Sequence, residues 1–493
     1  MSSFLRLRPP PEEHTLPGTD FIIDGFRFRN NTKNQVYFLR SVPLLWCGVY
    51  PICPESGLTS PHGSHCHADH TTGLHKSFRC GVIYTSDVSR SILLAMCPGL
   101  PPIFVQPLAL DVEHAISESV RVTLLDANHC PGAVVFLFRV MPPNGGAVRT
   151  ILHTGDFRYG QAGTWISLDA ARFDDRFLDT TYAQPRFGCC MTPAAVRDVV
   201  AGIVDSVRQR GDLPRALFMF GTYRVGKDDD ALDCAGRLGV PVGVAKEEKF
   251  HLLEACSRDR ERFRLLGSES EEQGSGPAVH LVPMSTLAHF RSMAEHGDRY
   301  RLHGGALPWL IGIKVTMATG RSRRDNGWPI QRIDVKDAGR TVGELWHLCG
   351  SDHTAYWPLR EFVLKHPEAR VVPTVGGTGE ARRKHIVDLL RAPLESAEYA
   401  AAVRAAWPEE DLRRKDGVAD ALHATGLREV LASEEQAEDE QLQQKVPKKR
   451  RRTPVRANAG TPVGLLRCRY FADSLVVCPL GLSPLGLYIS ADC

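Results

Sequence analysis

Residues 65–70 read His-Cys-His-Ala-Asp-His, which sets three histidines and an aspartate within six positions. In an extended or tightly looped segment, alternate side chains share a side, so two imidazoles and a carboxylate aim at one point. A polar surface loop with chance histidines is the bland alternative. Downstream, His129 stands in DANHCPGAV and Asp156 in LHTGDFR, each at the end of an apolar run of β type. A strand end holds a ligand rigidly, and a carboxylate there can bridge two cations. Nitrogen and oxygen donors of this kind favour zinc and similar ions. Two such ions about 3.5–4 Å apart polarise a phosphoryl oxygen, acidify a bound water and stabilise the departing oxygen. Hydrolysis is the expected reaction.

The chain has 493 residues, 43% of them hydrophobic, and a formal net charge of +3. That length suits about two to three ordinary domains with their own cores. Attraction to a nucleic acid would have to come from local basic patches, because the overall field is weak. The 14 cysteines show no framework spacing and the start, MSSFLRLRPPPEEH, lacks the apolar core of a signal peptide, so a reducing compartment with free thiols is expected. No apolar run reaches the roughly 18 residues that span a bilayer, so no membrane partner is expected.

Between Phe21 and Pro393 β-rich runs (FIIDGF, VRVTLLDA, AVVFLFRV, RTILHTGDF) alternate with helical periodicity such as AAVRDVVAGIVDSVRQR. A second α/β segment begins near Thr192 with a helix, the strand ALFMF, the loop GTYRVGK, another helix and the strand AVHLVPM. Expected domains are 17–185, an inserted 186–345, a return at 346–393, and a mobile tail over 394–493, with 40–63 as an atypical insertion.

The ordered motifs HCHADH, DANHCPGAV, LHTGDFR and LDTTY resemble the metallo-β-lactamase core of the β-CASP nucleases. Within that group the chain is similar to the DNA cross-link repair nucleases, the nitrogen-mustard-sensitivity group that also contains Artemis, over residues 17–375. PGTDFIIDGF, FGTYRVGKDDDAL, AVHLVPM, GSDHTAYWPLREFV and RVVPTVG match in the same order. The resemblance implies an α/β fold, an αββα sandwich with an inserted β-CASP domain, holding one or two Zn2+ ions. Residue by residue it implies that His65, His67 and His129 hold one metal, that Asp69, His70 and His353 face the second, and that Asp156 bridges. Asp69, Asp156 and His353 would thereby serve catalysis, Asp24 would buttress the ligand loop, and Asp179 and His280 would be further active-site positions. The alternatives are a helix or turn cap for Asp179, a satisfied core histidine for His280, and a helix N-terminus at Ser351-Asp352 for the segment carrying His353.

The loop Gly221-Thr222-Tyr223-Arg224-Val225-Gly226-Lys227 follows a strand and precedes a helix, so its N–H groups, hydroxyl and Lys227 offer a phosphate site. A generic strand-to-helix turn is the alternative. Arg321, Arg323 and Arg324, with Trp328, suit a nucleic-acid channel, or simply a solvated face. The resemblance implies a 5′-to-3′ DNA exonuclease that takes a 5′-phosphate end and works in interstrand cross-link and damage repair. The alternatives are an Artemis-like structure-specific endonuclease, an RNA-processing β-CASP endonuclease, and an inactive scaffold with a disrupted metal site.

The sequence departs from the pattern where Val36-Tyr37-Phe38-Leu39, expected to run straight into Ser64-His65, is interrupted by residues 40–63. This stretch reads as an inserted loop, from a translated intron or a gene-model error; a genuine insertion would loosen ligand placement. The run Lys448-Lys449-Arg450-Arg451-Arg452 suits nuclear import or DNA contact, and the tail is the expected place for repair-factor partners. The last stretch, GLLRCRYFADSLVVCPLGLSPLGLYISADC, is assigned no role.

Overall fold

The computed structural model describes residues 10–26, 35–40, 74, 76, 78–79, 81–142, 144–160, 168–169, 171–188, 190–256, 260–267, 277–300, 308–317, 330–337, 339–375, 379–393 and 396. All of them lie in the compact unit Met1–Glu434. The architecture is α/β, with helices packed on sheets that are largely parallel.

Strands β1 (Ile22–Ile23), β2 (Gln35–Phe38), β3 (Gly81–Thr85) and β4 (Val105–Pro107) form a four-stranded parallel sheet in chain order. A six-stranded sheet runs β5 (Glu113–Ala115), β6 (Val120–Asp126), β7 (Val134–Val140), β8 (Arg149–His153), β9 (Asp175–Leu178) and then the late strand Arg370–Pro373. Its first four strands pair antiparallel and its last three parallel.

The strand β7, VVFLFRV, is apolar on both sides from Val134 to Phe138 because both of its faces are covered there, while Arg139 is exposed. Val134, Phe136 and Phe138 join Ile23 and Phe38 of the first sheet in one core. There the Phe38 ring meets Phe138 edge-on at 4.9 Å and Phe136 at 5.2 Å. Burying each such ring contributes about 1.5–3 kcal/mol, with about 0.5–1.5 more for each aromatic pair. On the opposite face Val135 and Leu152 pack against Leu359, Phe362 and Leu390 of the helices Tyr356–Lys365 and Glu380–Arg391. The far face of the four-stranded sheet is covered by Ile92 and Leu93 of the helix Asp87–Met96.

The third sheet lies between Ala216 and Leu348, in the order β12 (Phe263–Leu265), β11 (Val242–Val244), β13 (Ala278–Pro283), β10 (Ala216–Thr222), β14 (Trp309–Val315), β16 (Arg340–Leu348), β15 (Ile330–Asp337). All its pairings are parallel except β15 with β16. The helix Pro193–Gln209 buries Val196, Val200, Ile203, Val204 and Val207 on one face of this sheet, the spacing that the sequence periodicity predicts. Thr192 caps its start by accepting the Ala195 N–H at 3.2 Å.

Arg40, expected to open an inserted loop, is instead a core residue with 5% exposure. Its backbone N–H donates to Asp24 Oδ1 at 3.0 Å, its side chain pairs with Asp24 Oδ2, and its carbonyl accepts the Val134 N–H at 2.9 Å. A buried acid paired with it makes this arginine an interior residue, which its polarity in the sequence concealed. Residues 41–63 of the expected insertion, Arg321 to Arg324, Trp328 and the tail with Lys448 to Arg452 lie outside the described residues. Among the described residues no helix is long and apolar enough to cross a membrane.

Candidate metal centre

Three loops at strand ends bring His129, Asp156 and His353 together, with one potential ligand atom of each within 4.8 Å of the others. His129 follows β6 in a tight turn: the Ala127 N–H donates to the Ala133 carbonyl at 3.1 Å, and Asn128 takes φ +51°. The start of the helix Asp87–Met96 holds that turn, because the hydroxyls of Ser86 and Ser89 donate to the Gly132 carbonyl at 2.7 and 2.8 Å. Asp156 follows β8 after Gly155, which has φ +59°. A Cβ there would lie 2.7 Å from Arg40 Cδ and 3.1 Å from its Nε, so glycine is required for close approach as well as for conformation.

Both imidazoles are aimed by their Nδ1 atoms. His129 Nδ1 donates to the Asp352 carbonyl at 2.9 Å, and its Nε2 lies 3.8 Å from Asp156 Oδ2. His353 Nδ1 pairs with Asp179 Oδ2 at 2.7 Å, and its ring meets that of His129 at 4.7 Å. An oxygen partner on Nδ1 fixes the tautomer in which Nε2 is the ligand nitrogen. Two imidazoles and a carboxylate so arranged could hold a metal ion.

Burial, reinforced by His353, pulls His129 down to about 4. Burial also works against a charged His353, but Asp179 and Asp156 outweigh it and push that imidazole up to about 9. Burial alone would raise Asp179, yet the paired His353 holds it below the usual carboxylate range. The two carboxylates, Asp179 and Asp156, therefore favour positive charge at His353.

Asp179 serves two purposes, since its Oδ1 also accepts the Thr181 N–H at 2.9 Å and the Thr181 hydroxyl at 2.6 Å. The turn-capping alternative and the partnership with His353 thus coexist. The segment before His353 is not a helix N-terminus: the helix begins at Tyr356 with Ala355 as its cap residue. Ser351 Oγ accepts the His353 N–H at 2.9 Å, a local turn that competes with helix there.

His280 lies outside this group, in β13, with Nδ1 3.1 Å from Nε2 of His296 and its ring edge-on to Tyr300 at 4.8 Å. Asp24 pairs with Arg40, whose Nη1 is 3.2 Å from His153 Nδ1 in the strand leading to Asp156. Gly221 and Thr222 end β10 rather than forming a loop. Lys227 has φ +61°, lies 5.6 Å over the Tyr223 ring, and binds Asp352 Oδ2 at 2.9 Å. His65, His67, Asp69 and His70 lie outside the described residues. Sequence reading missed Asp352, Arg158 and Tyr182, whose ring meets His353 edge-on at 5.6 Å. The signal available was a charged residue beside a ligand and an arginine two places after Asp156.

No protein-family model matches the chain. DNA cross-link repair protein SNM1 of Arabidopsis thaliana is 30% identical over 391 residues, covering 78% of this chain and 70% of that protein. The chain belongs to the DNA cross-link repair family of β-CASP nucleases. Another family relative, DNA cross-link repair 1A protein of Homo sapiens, is 30% identical over 379 residues, 76% of this chain and 32% of that one. The 5′ exonuclease Apollo of Gallus gallus is 36% identical over 242 residues, 48% of this chain and 44% of its own length. The chain thus spans about a third of the human family member and most of the plant one.

Proposed function

We propose that this protein is a zinc-dependent 5′-to-3′ DNA exonuclease that acts on 5′-phosphorylated ends during interstrand cross-link and damage repair in the nucleus. The observation that carries the reading is the trio His129, Asp156 and His353, with both imidazoles aimed by Nδ1 partners, in a chain of this family. The sheets and helices around it support a metallo-β-lactamase αββα core over 17–185 and 346–393, with the seven-stranded sheet as the heart of a β-CASP insertion over 186–345. His65, His67, Asp69 and His70 would complete the ligand set.

One or two divalent ions held there would supply a water acidic enough to act as hydroxide at neutral pH and would neutralise charge on the phosphoryl oxygens. Asp156 would set the spacing of the ligands. Asp179 holds the imidazole of His353 in one orientation, so that no rearrangement is needed at the moment of bond breaking. The 223–227 loop that follows β10 would receive the terminal phosphate through its backbone and Tyr223, and the C-terminal basic run would serve import.

The test is a comparison of four end-labelled substrates with the purified chain: 5′-phosphorylated DNA, 5′-hydroxyl DNA, a DNA hairpin and single-stranded RNA. Stepwise shortening from the phosphorylated end supports the proposal. Internal cuts would replace it with the endonuclease reading, and preferred cutting of RNA with the RNA-processing one.

A further inference from the structure

The carboxylate of Asp352 stands where four loops meet, and neither the motif pattern nor the ligand trio accounts for it. Its Oδ1 takes Arg158 Nη2 at 3.0 Å and its Oδ2 takes Lys227 Nζ at 2.9 Å. Arg158 comes two residues after Asp156, and its N–H donates to the carbonyl of Ala127, two residues before His129, at 2.8 Å. Arg158 Nη2 also donates to the Ser351 carbonyl. Lys227 closes the loop that leaves β10 of the seven-stranded sheet, in a left-handed conformation at φ +61°. The backbone carbonyl of Asp352 itself receives His129 Nδ1, and the next residue is His353.

The carboxylate of Asp352 therefore pins the one peptide that aims His129 and carries His353. It also ties that peptide to the Asp156 loop and to the loop of Lys227. Without it, an ammonium and a guanidinium would face each other across a partly buried gap, with the peptide between them released. Burial would raise this acid, but Lys227 and Arg158 outweigh it and hold it well below the usual carboxylate range. Lys227, which the motif offers as a phosphate receiver, already has its ammonium on this carboxylate.

We infer that Asp352 is a positioning residue for the metal centre, acting through His129 and His353, and that Lys227 and Arg158 serve the centre through Asp352. The inference rests on the proposed metal-dependent reading, and its test is read without DNA. The full chain is stripped with chelator and titrated with Co2+, following the visible ligand-field band and the affinity by competition. Asp352→Ala is expected to weaken cobalt binding about tenfold or more and to shift the band, as loss of a ligand-orienting partner does elsewhere. Asp352→Asn, which keeps the shape and one acceptor oxygen, should fall between. Lys227→Met should weaken binding less, and adding it to Asp352→Ala should change nothing further, because the two act as one unit.

An unchanged band and affinity in Asp352→Ala would overturn the inference, as would additive losses in the double variant. If Asp352→Ala lowers only the melting temperature, the residue is structural and the inference fails. A wild-type chain that binds cobalt but leaves every nucleic acid intact overturns the nuclease reading and leaves this one standing. A wild-type chain that binds no cobalt overturns both.

Discussion

Replacing Arg176 by methionine should cost the fold about 3 kcal/mol, and the structure shows where that figure comes from. Arg176 in β9 has no exposed surface. Its Nη1 donates to the Phe362 carbonyl at 2.9 Å, and its Nη2 donates to Val363 at 3.2 Å and to His366 at 2.7 Å. These carbonyls close the helix Tyr356–Lys365, and a helix cannot satisfy its own last turn. Methionine fills the stem of the arginine and offers no donor. The Phe362 carbonyl is left orphaned, while those of Val363 and His366 keep the N–H groups of His366 and Ala369 at 3.3 Å. One orphan at about 1–3 kcal/mol and two lost charge-assisted bonds at about 1.5–3 each come to about 4–9. Burial, helped by Arg391, already pulls the guanidinium down to about 10. Removing this buried charge recovers desolvation energy of several kcal/mol, which offsets the upper part of that range. Urea unfolding followed by circular dichroism measures the loss, provided the denaturant slope is unchanged. A loss below about 1 kcal/mol would refute the reasoning, since the carbonyls would then have found water.

Three further outcomes are expected. Gly155→Ala combines a left-handed backbone with a Cβ pressed on the Arg40 side chain, so it should destabilise by about 2 kcal/mol or more and weaken metal binding; a neutral result in thermal melts and zinc titration would contradict it. Burial is the main cause that pulls His280 well below its ordinary 6.5 and His296 to about 4. The unfolded chain therefore takes up protons that the folded chain refuses, and stability should fall as pH drops from about 6.5 towards 4, by at most about 1.4 kcal/mol per pH unit for each histidine. In His296→Gln that slope should be shallower, and an equal slope would show that other groups set it. Zinc at a hundred times its dissociation constant should stabilise the chain by about 2.7 kcal/mol, a melting-temperature rise reversed by chelator and lost in Asp156→Ala.

The strands VRVTLLD, VVFLFRV and RTILH, and the helix from Pro193 to Gln209, were legible because their apolar spacing states which faces are covered. FIIDGF reads as a full strand, yet only Ile22 and Ile23 pair, because Asp24 turns to φ +49° and commits its carboxylate to Arg40. Of the site, His129, Asp156 and His353 could be named from motif residues, and Asp179 with them. Their Nδ1 partners could not be named in full, since one is a backbone carbonyl, which has no sequence signature. Asp352 looked like a helix cap because a Ser-Asp pair before a periodic run is the usual sign of one. Its partners Arg158 and Lys227 lie far away in sequence, so only the fold reveals the cluster. His280 shows the reverse limit: a histidine in a matching motif sits against His296 and Tyr300, apart from the trio.

The most direct test of the account is single-turnover cleavage of a 5′-phosphorylated, end-labelled DNA strand by the chelator-stripped chain, with zinc restored, beside Asp156→Ala and His353→Ala. The account predicts release of nucleotides from the 5′ end only when zinc is present, with the rate falling by about a hundredfold or more in either variant, as for removal of a group that acts in the transition state. Equal cleavage by wild type and both variants, or cleavage that ignores the metal, would contradict it.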